Sequence, residues 1–258
     1  MIDFNERAIP GVTSNFLMQE AYARYKFASK YIKKGDHVLD VACGVGYGTD
    51  ILAKKAGSAI GIDIDRETVV YAQQNFSQNS ANFILSAAES TPFKDGYFGT
   101  VVSFEMIEHL QNPGIFLKEM VRITKKGGFV IVSTPNKEVH SVDGKPMSIY
   151  HTKEFSYQEL STLLKKYFKS VEFYSQTKSN KSTEAWKSFM TSQTARRGIV
   201  RFDILGIRHL VTKDRRERLW KVLGAAFGRE RQESLSSEDF PIKKYTGSAE
   251  YFIAVCRV

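Results

Sequence analysis

The chain has 258 residues, 42% of them hydrophobic, which suits one α/β domain with an embellishment or a domain and a half. Its apolar runs are strand-sized and its N-terminus is polar, so we expect neither a membrane span nor a secretory signal. Two cysteines are too few for a disulfide framework, and we therefore expect a cytoplasmic enzyme. The net charge is +9, and the stretch from Thr177 to Thr246 holds 16 Lys and Arg against 8 Asp and Glu, so the basic character has a local cause.

Residues 1–34 precede the first predicted strand, and we expect them to form an N-terminal helical cap. The stretch from Asn15 to Ile32 carries apolar residues at helical spacing, which predicts a helix packed on a sheet. These residues are Phe16, Leu17, Ala21, Tyr25, Ala28 and Ile32.

A short buried strand, Val38 to Val41, is followed by a turn rich in glycine. Gly44, Gly46 and Gly48 stand at alternate positions, and a helix begins after them. This order predicts the first half of a nucleotide-binding βαβ unit, because glycine lets the backbone turn sharply and lets a ligand approach it closely. A dinucleotide site shares the same pattern.

Two acidic residues favour a different ligand from a dinucleotide. Asp40, at the end of the first strand, would repel a pyrophosphate and suits the cationic amino-acid portion of a ligand. Asp63 ends the second strand and follows Gly44 by 19 residues, the spacing at which an acid holds ribose hydroxyls. An adenosine with a positively charged amino-acid arm is S-adenosyl-L-methionine, and these residues predict its binding.

The remaining core elements continue the alternation of strand and helix. About seventy residues separate the last two predicted strands, too many for a structureless loop in a compact domain, so Thr177 to Thr246 is predicted to be a helical insertion. The further strands are predicted at Asn82 to Leu85, Thr100 to Phe104, Phe129 to Ser133, Val171 to Tyr174 and Glu250 to Val255.

Five motifs follow one another between Val38 and Asn136: VLDVACGVGYG, AIGIDID, SAAESTPF, FGTVVSFEMIEHL and KKGGFVIVSTPN. In this order they resemble the class I S-adenosylmethionine-dependent methyltransferases, and more narrowly the branch with the ubiquinone- and menaquinone-biosynthesis enzymes and many sugar or natural-product methyltransferases. The resemblance implies an α/β fold: a Rossmann-like, seven-stranded, mostly parallel sheet with an antiparallel last strand, an N-terminal helical lid and a helical insertion before the last strand. The predicted division is a cap at 1–34, the methyltransferase core at 35–176, the basic insertion at 177–246 and the last core strand at 247–258.

The resemblance also implies which residues hold the cofactor. Tyr25 on the N-terminal helix, with Arg24 as a second candidate, would contact the methionine carboxylate, and Ile64 would pack on the adenine. Where relatives have an aspartate that accepts a hydrogen bond from adenine, this chain has Ala87, so backbone groups at Ala88 or the carboxylate of Glu89 would take over that contact. The complete predicted cofactor set is Tyr25, Asp40, Ala42, Gly44, Gly46, Asp63, Ile64, Ala88, Glu89 and Phe104.

Methyl transfer from a sulfonium demands a short, aligned approach of the nucleophile, and a hydroxyl nucleophile also gains from a base. His109 and His151 are the candidate bases, since the unperturbed pKa of histidine is near neutrality, and Glu105 and Glu154 are candidate orienting or accepting groups. The alternatives are that His109 caps or packs a helix and that His151 is a surface loop residue. Along the sequence no cluster of Cys, His and Asp has metal-ligand spacing, so no metal is expected.

We expect O-methylation of a small-molecule or glycan-type acceptor. Two alternatives are N-methylation of an amino sugar or small amine, and a non-catalytic cofactor-binding protein that docks another enzyme through its basic insertion. The insertion has three candidate roles: a solvated face, a surface for an anionic acceptor or membrane, and a nucleic-acid surface. The last is the least favoured, because no nucleic-acid module is recognised.

Overall fold

The computed structural model describes residues 8–11, 13–77, 80–143, 145–146, 148–187 and 234–258. Its strands are β1 (Val38–Val41), β2 (Ala59–Asp63), β3 (Ala81–Leu85), β4 (Phe98–Phe104), β5 (Thr124–Pro135), β6 (Ser141–Val142), β7 (Lys145–Pro146), β8 (Ser170–Gln176), β9 (Ile242–Lys244) and β10 (Tyr251–Arg257). Its helices are α1 (Asn15–Ala28), α2 (Tyr47–Ala56), α3 (Arg66–Phe76), α4 (Pro113–Ile123), α5 (Lys137–His140) and α6 (Tyr157–Leu164), and residues 180–187 are also helical.

Eight of these strands form one sheet in the order β3-β2-β1-β4-β5-β10-β8-β9. Neighbouring strands among β1 to β5 pair in parallel, whereas β10 runs antiparallel to both β5 and β8. The prediction of a Rossmann-like, mostly parallel sheet with an antiparallel last strand is confirmed.

The sequence does not predict the eighth strand. Strand β9 pairs antiparallel with β8 at the edge of the sheet, inside the stretch predicted to be a helical insertion. The middle of that stretch, residues 188–233, lies outside the described residues. The division of the chain into cap, core and insertion therefore stays a prediction.

The strand order reverses between β1 and β4. From β1 the chain proceeds outward to β2 and β3, and then crosses back to β4 and β5 on the other side of β1. In open α/β sheets, ligands bind outside the carboxyl ends of the strands at such a reversal. In this chain the reversal lies where β1 ends at Val41 and β4 ends at Phe104.

Helices cover both faces of the sheet, which is why its central strands are apolar. All four residues of β1 are buried, as expected for a parallel strand covered on both faces. One apolar cluster joins Leu39 to Phe116 and Met120 of α4, and a second joins Val38 to Leu52 of α2 and to α1. Because successive residues of a strand point to opposite faces, the two clusters lie on opposite sides of the sheet.

The two glycines that bound α2 offer a matched test of the glycine turn. Gly46 precedes the helix with φ 94° and ψ −4°, and Gly57 follows it with φ 90° and ψ −14°. A Cβ atom at Gly46 would stand 2.8 Å from atoms of Ala72 and Phe83, whereas one at Gly57 would meet nothing within 4 Å. We expect Gly57→Ala to lower the free energy of unfolding by about 1–2 kcal/mol, the cost of a left-handed alanine. Gly46→Ala should lower it by about 1–3 kcal/mol more, because steric overlap adds to the same backbone strain.

Urea denaturation of both variants measures the two losses of stability. Equal losses would mean that the residues around Gly46 move aside without cost, and the close packing would then not explain why glycine stands there.

Candidate active site

A cavity of about 830 Å³ opens where β1, β2 and β4 end, between the glycine turn, α1 and the residues that follow β4. Most of the predicted site residues line it, so the strand ends bring them together. Asp40, Gly46 and His151 are not among the lining residues. The predicted residues that do line the cavity are Tyr25, Ala42, Gly44, Asp63, Ile64, Ala88, Glu89, Phe104, Glu105 and His109.

Asp63 lies on the wall of the cavity with its carboxylate held by backbone groups. The N–H of Gly44 donates to Asp63 Oδ2 at 3.0 Å, and the N–H of Asp65 donates to Oδ1 at 3.0 Å. One contact reaches across to the glycine turn and the other comes from the start of α3. The carboxylate therefore has a fixed orientation at the end of β2.

Backbone and apolar groups form the rest of this wall. Gly44 has φ 54°, and a Cβ atom placed on it would meet nothing within 4 Å, so its backbone faces open space. Ala42 has a left-handed backbone with φ 58°, which is uncommon for a residue with a side chain and is concentrated at functional sites. Ile64 is 76% exposed at the cavity, where its side chain is available to pack on a planar ligand.

The loop after β3 brings Ala88 and Glu89 to the same cavity. The N–H of Ser86 donates to the backbone oxygen of Asp63 at 3.0 Å, which fixes the start of this loop beside the end of β2. Ala87, which lies between the lining residues Ser86 and Ala88, does not itself line the cavity.

Asp40 lies behind the lining residues rather than among them. Tyr25 Oη donates to Asp40 Oδ1 at 3.3 Å, and Thr49 Oγ1 donates to Oδ2 at 2.7 Å. Burial raises the pKa of Asp40 to about 7, although the hydrogen bonds from Thr49 and Tyr25 oppose the shift. Tyr25 stands between this carboxylate and the cavity.

Tyr25 also connects α1 to the glycine turn and to the end of β4. Its ring covers Gly48 so closely that any side chain at that position would overlap it. On its other side the ring packs edge-to-face on Phe104, with ring centroids 5.0 Å apart. These two contacts help to fix α1 over the cavity.

Glu105 follows β4 in a strained backbone conformation, with φ 52°. Ser133 of β5 holds it in place: Ser133 Oγ donates to Glu105 Oε1 at 2.5 Å, and the N–H of Glu105 lies 3.2 Å from both oxygens of Ser133. Non-glycine residues in this conformation persist where the surrounding structure enforces them, often at active sites. Here the result is a carboxylate presented to the cavity.

A buried ion cluster on α1 faces the same part of the cavity; Arg24 is a second candidate from the sequence for the methionine carboxylate, whereas Glu20 is given no role there. Glu20 and Arg24 are 4% and 7% exposed and both line it. Arg24 donates to Gln176 Oε1 at 2.7 Å, and its guanidinium lies 4.9 Å from the ring centroid of Tyr251. Their spacing of four residues on one helix face is the signal that could have identified the pair.

The pKa values of this cluster favour a charged arginine. Burial by itself would lower the pKa of Arg24, but the carboxylates of Glu105 and Glu20 raise it overall. Burial raises the pKa of Glu20 above its usual value, although Arg24 and Lys178 oppose the shift. A cation is therefore fixed between two carboxylates at this end of the cavity.

The two candidate bases form a pair with ring centroids 4.9 Å apart. His109 lines the cavity, and its Nδ1 lies 3.1 Å from the backbone oxygen of Tyr150. His151 stands behind it, with Nδ1 3.1 Å from Glu154 Oε1. Ser141 Oγ donates to the other oxygen of Glu154 at 2.5 Å, which holds that carboxylate in place.

Glu108 completes a group that sequence spacing does not reveal. Ligand atoms of Glu108, His109 and His151 lie within 4.8 Å of one another, although the sequence analysis expects no metal-ligand cluster. The backbone explains the meeting: the N–H groups of Thr152 and Lys153 donate to the Glu108 backbone oxygen at 2.9 and 3.2 Å. Burial raises the pKa of the Glu108 side chain well above its usual range, and nearby Glu105 adds to this shift.

None of the helices in the described ranges has the length and apolarity that crossing a bilayer requires.

Comparison with known proteins gives three concordant findings. Residues 39–132 match the family model described as a methyltransferase domain. A probable S-adenosylmethionine-dependent methyltransferase of Mycolicibacterium smegmatis is 32% identical over 161 residues, which cover 62% of this chain and 62% of that protein. A probable S-adenosylmethionine-dependent methyltransferase of Mycobacterium tuberculosis is 30% identical over 161 residues, which cover 62% of this chain and 58% of that protein. The chain thus spans about six-tenths of the length of these curated relatives.

Among solved structures, an S-adenosylmethionine-dependent methyltransferase of Thermotoga maritima, described as a possible histamine N-methyltransferase, has a TM-score of 0.58. The two chains are 16% identical, and the match covers 94% of this chain and 92% of the other, so it supports the fold alone. The narrower branch suggested by the motifs stays a prediction. The family match and the relatives identify residues 39–132 as part of a methyltransferase domain of the S-adenosylmethionine-dependent kind, and the sheet topology agrees with the fold of the solved neighbour.

Proposed function

We propose that this chain transfers the methyl group of S-adenosyl-L-methionine to an oxygen of a small-molecule or glycan-type acceptor. One observation carries the proposal. A single cavity has an oriented carboxylate and an open glycine turn on one wall, and a strained carboxylate and a histidine on another.

The first wall fits the cofactor. The open space at Gly44 lets a ligand approach the backbone, and Asp63 suits the two ribose hydroxyls. Ile64 would pack on the adenine, with Ala88 and Glu89 beside its edge. Asp40 would act on the amino-acid arm through Tyr25, as a positioning residue. Ala42, Gly46 and Phe104 complete the proposed cofactor set, Gly46 by shaping the turn from behind.

When bound, the cofactor supplies an electrophilic methyl group on a sulfonium. The chain's own contribution is to hold the acceptor oxygen in line with that group, which supplies about 7–11 kcal/mol of rate acceleration in favourable cases. Glu105 and Arg24 are the charged groups that would orient the acceptor.

Removal of the acceptor's proton falls to His109. The backbone oxygen beside His109 Nδ1 only accepts hydrogen bonds, so Nδ1 carries the proton and Nε2 is the basic atom. A positioned base of this kind contributes about 10²–10⁴-fold. His151, oriented by Glu154, would support His109 from behind.

A second candidate function is N-methylation of an amino sugar or small amine. Glu20 and Glu105, two carboxylates at the acceptor end, would suit an ammonium group as well as a hydroxyl. The name of the Thermotoga maritima neighbour points the same way for that protein. The proposed roles of the basic stretch 177–246, as a surface for an anionic acceptor, a membrane or a partner protein, concern residues that lie mostly outside the described ranges.

Matched acceptors distinguish these functions. The protein is incubated with methyl-labelled S-adenosyl-L-methionine and pairs of sugars and phenols that differ only in a hydroxyl replaced by an amine. We expect label in the hydroxyl member of a pair, and His109→Asn should lower kcat by about 10²–10⁴-fold. Transfer to the amines alone would replace this proposal by the second candidate. Binding of the cofactor without transfer to any acceptor would favour a non-catalytic partner protein.

A further inference from the structure

Glu108, His109 and His151 form a compact group of three potential ligands at the end of β4. We propose that this group binds one divalent first-row metal ion, of the Mn²⁺, Co²⁺ or Zn²⁺ type. Binding of the ion goes beyond the proposed methyl transfer, since it can be measured without cofactor or acceptor.

The distances within the group suit a single ion. Bonds from such ions to imidazole nitrogen or carboxylate oxygen are about 2.0–2.2 Å long, so two ligands of one ion stand at most about 4.4 Å apart. The ligand atoms of the three residues lie within 4.8 Å of one another. Shifts of a few tenths of an ångström in each side chain are therefore enough to close the site.

Glu108 has an oxygen that needs a partner. The side chain is 0% exposed, and Thr134 Oγ1 donates to Oε2 at 2.9 Å. Among the described residues no hydrogen-bond partner reaches the other oxygen, Oε1. A buried carboxylate oxygen without a partner is costly, and a cation bound at Oε1 would remove that cost.

His151 is oriented as metal-binding histidines are. Its Nδ1 lies 3.1 Å from Glu154 Oε1, and Glu154 is itself 2% exposed and held by Ser141. A carboxylate on one ring nitrogen fixes the tautomer, makes the other nitrogen a better ligand and orients the ring. The Tyr150 backbone oxygen fixes the tautomer of His109 in the same way.

The donor set indicates the class of ion. Two imidazoles and one carboxylate suit Mn²⁺, Fe²⁺, Co²⁺ or Zn²⁺, whereas Mg²⁺ and Ca²⁺ prefer oxygen ligands throughout. Because His109 lines the cavity, the ion's remaining positions would face the acceptor. An acceptor hydroxyl bound to the ion would lose its proton more easily. The ion would then replace His109 as the activating group, because an Nε2 atom that binds the ion cannot also accept a proton; this consequence, unlike the binding itself, rests on the proposed function.

The test uses the full chain without an affinity tag. EDTA first removes any bound metal, and the EDTA is then removed from the protein. Mn²⁺ is added and its free form is followed by electron paramagnetic resonance. We expect one ion to bind per chain. Glu108→Gln and His151→Asn should each weaken binding at least about 10-fold. Glu154→Gln, which acts on the site through the ring of His151, should weaken it about 10–100-fold.

Two controls keep the result interpretable. His37→Asn removes a histidine that stacks on Tyr97, with ring centroids 4.6 Å apart, before β1 begins, and its Mn²⁺ binding should equal that of the wild type. Binding of S-adenosylhomocysteine, the product form of the cofactor, shows that each variant is folded. Absence of Mn²⁺ binding by the wild type, or equal binding by the Glu108 and His151 variants, would overturn the proposal. In either case intact binding of S-adenosylhomocysteine and methyl transfer would leave the proposed function in place.

Discussion

Replacing Asp63 with alanine should weaken the binding of S-adenosyl-L-methionine by about 100-fold or more. The carboxylate stands on the cavity wall, oriented by the N–H groups of Gly44 and Asp65. A carboxylate accepts about four hydrogen bonds, so it can hold two ribose hydroxyls together with two backbone amides. A hydrogen bond to a charged group contributes about 1.5–3 kcal/mol, and the loss of two corresponds to at least about 100-fold in Kd. Isothermal titration calorimetry measures the change.

Asp65→Ala is the matched control for this variant. The Asp65 carboxylate caps α3, since it accepts from the N–H of Glu67 at 3.2 Å and from Thr68 Oγ1 at 2.5 Å. Its loss should cost about 1 kcal/mol of stability, but the backbone N–H that orients Asp63 remains, so cofactor affinity should stay within a few-fold of the wild type. Wild-type affinity in Asp63→Ala would show that this carboxylate does not hold the ribose.

The core of this fold could be predicted because its signals are local. A parallel strand covered on both faces is buried along its whole length, and Val38 to Val41 is apolar in all but Asp40, while a tight turn into a helix needs glycine. The carboxyl ends of such strands meet at one edge of the sheet. Asp63 and Phe104, which end strands, and Glu105, which follows one, could therefore be placed in one site.

Strand β9 could not be predicted for the opposite reason. It is three residues long, and two of them are Lys243 and Lys244, so it has neither length nor alternation to signal a strand. Its conformation comes from pairing with β8, and short, lysine-bearing strands are typical of sheet edges. That pairing joins residues far apart in the sequence and leaves no local trace.

The contrast between local signals and contacts across the chain also explains which part of the site could be predicted. Arg24 and Tyr251 face each other in the cavity because α1 and β10 pack beside the same strand ends, a relation set by the complete fold. Glu108 and His151 meet because the residue after His151 bonds to the Glu108 backbone across 44 positions. Sequence spacing shows ligands only when they share a turn or a helix, so the metal-ligand group was not expected.

The position of Asp40 behind the cavity leads to an expected pH dependence of stability. Burial raises the pKa of this carboxyl from its usual 3.8 to about 7 in the folded chain. Between these two values the folded protein keeps a proton that the unfolded chain has released, so stability falls as pH rises through this window and stays low above it. Over the whole window the loss amounts to about 4 kcal/mol.

Asp40→Asn removes the titrating group and should remove this loss. The stability of the variant relative to the wild type should grow by about 2–3 kcal/mol between about pH 5 and about pH 8, measured by urea denaturation at each pH. The informative quantity is how the stability difference between variant and wild type changes with pH. The altered hydrogen bonds to Tyr25 and Thr49 contribute equally to that difference at both pH values.

Glu119→Gln is the control, because folding lowers the pKa of Glu119 whereas it raises that of Asp40. The hydrogen bond and charge of Arg122 lower the pKa of Glu119 to about 2, despite partial burial. Its stabilising contribution is therefore complete above the usual glutamate pKa and is lost only as pH falls towards 2. Between about pH 5 and about pH 8 the difference between Glu119→Gln and the wild type should not change. If Asp40→Asn also gave a constant difference, Asp40 would be ionised in the folded chain throughout this range. It would then act on the cofactor's cationic arm as a fixed negative charge rather than as a carboxyl that ionises near neutrality.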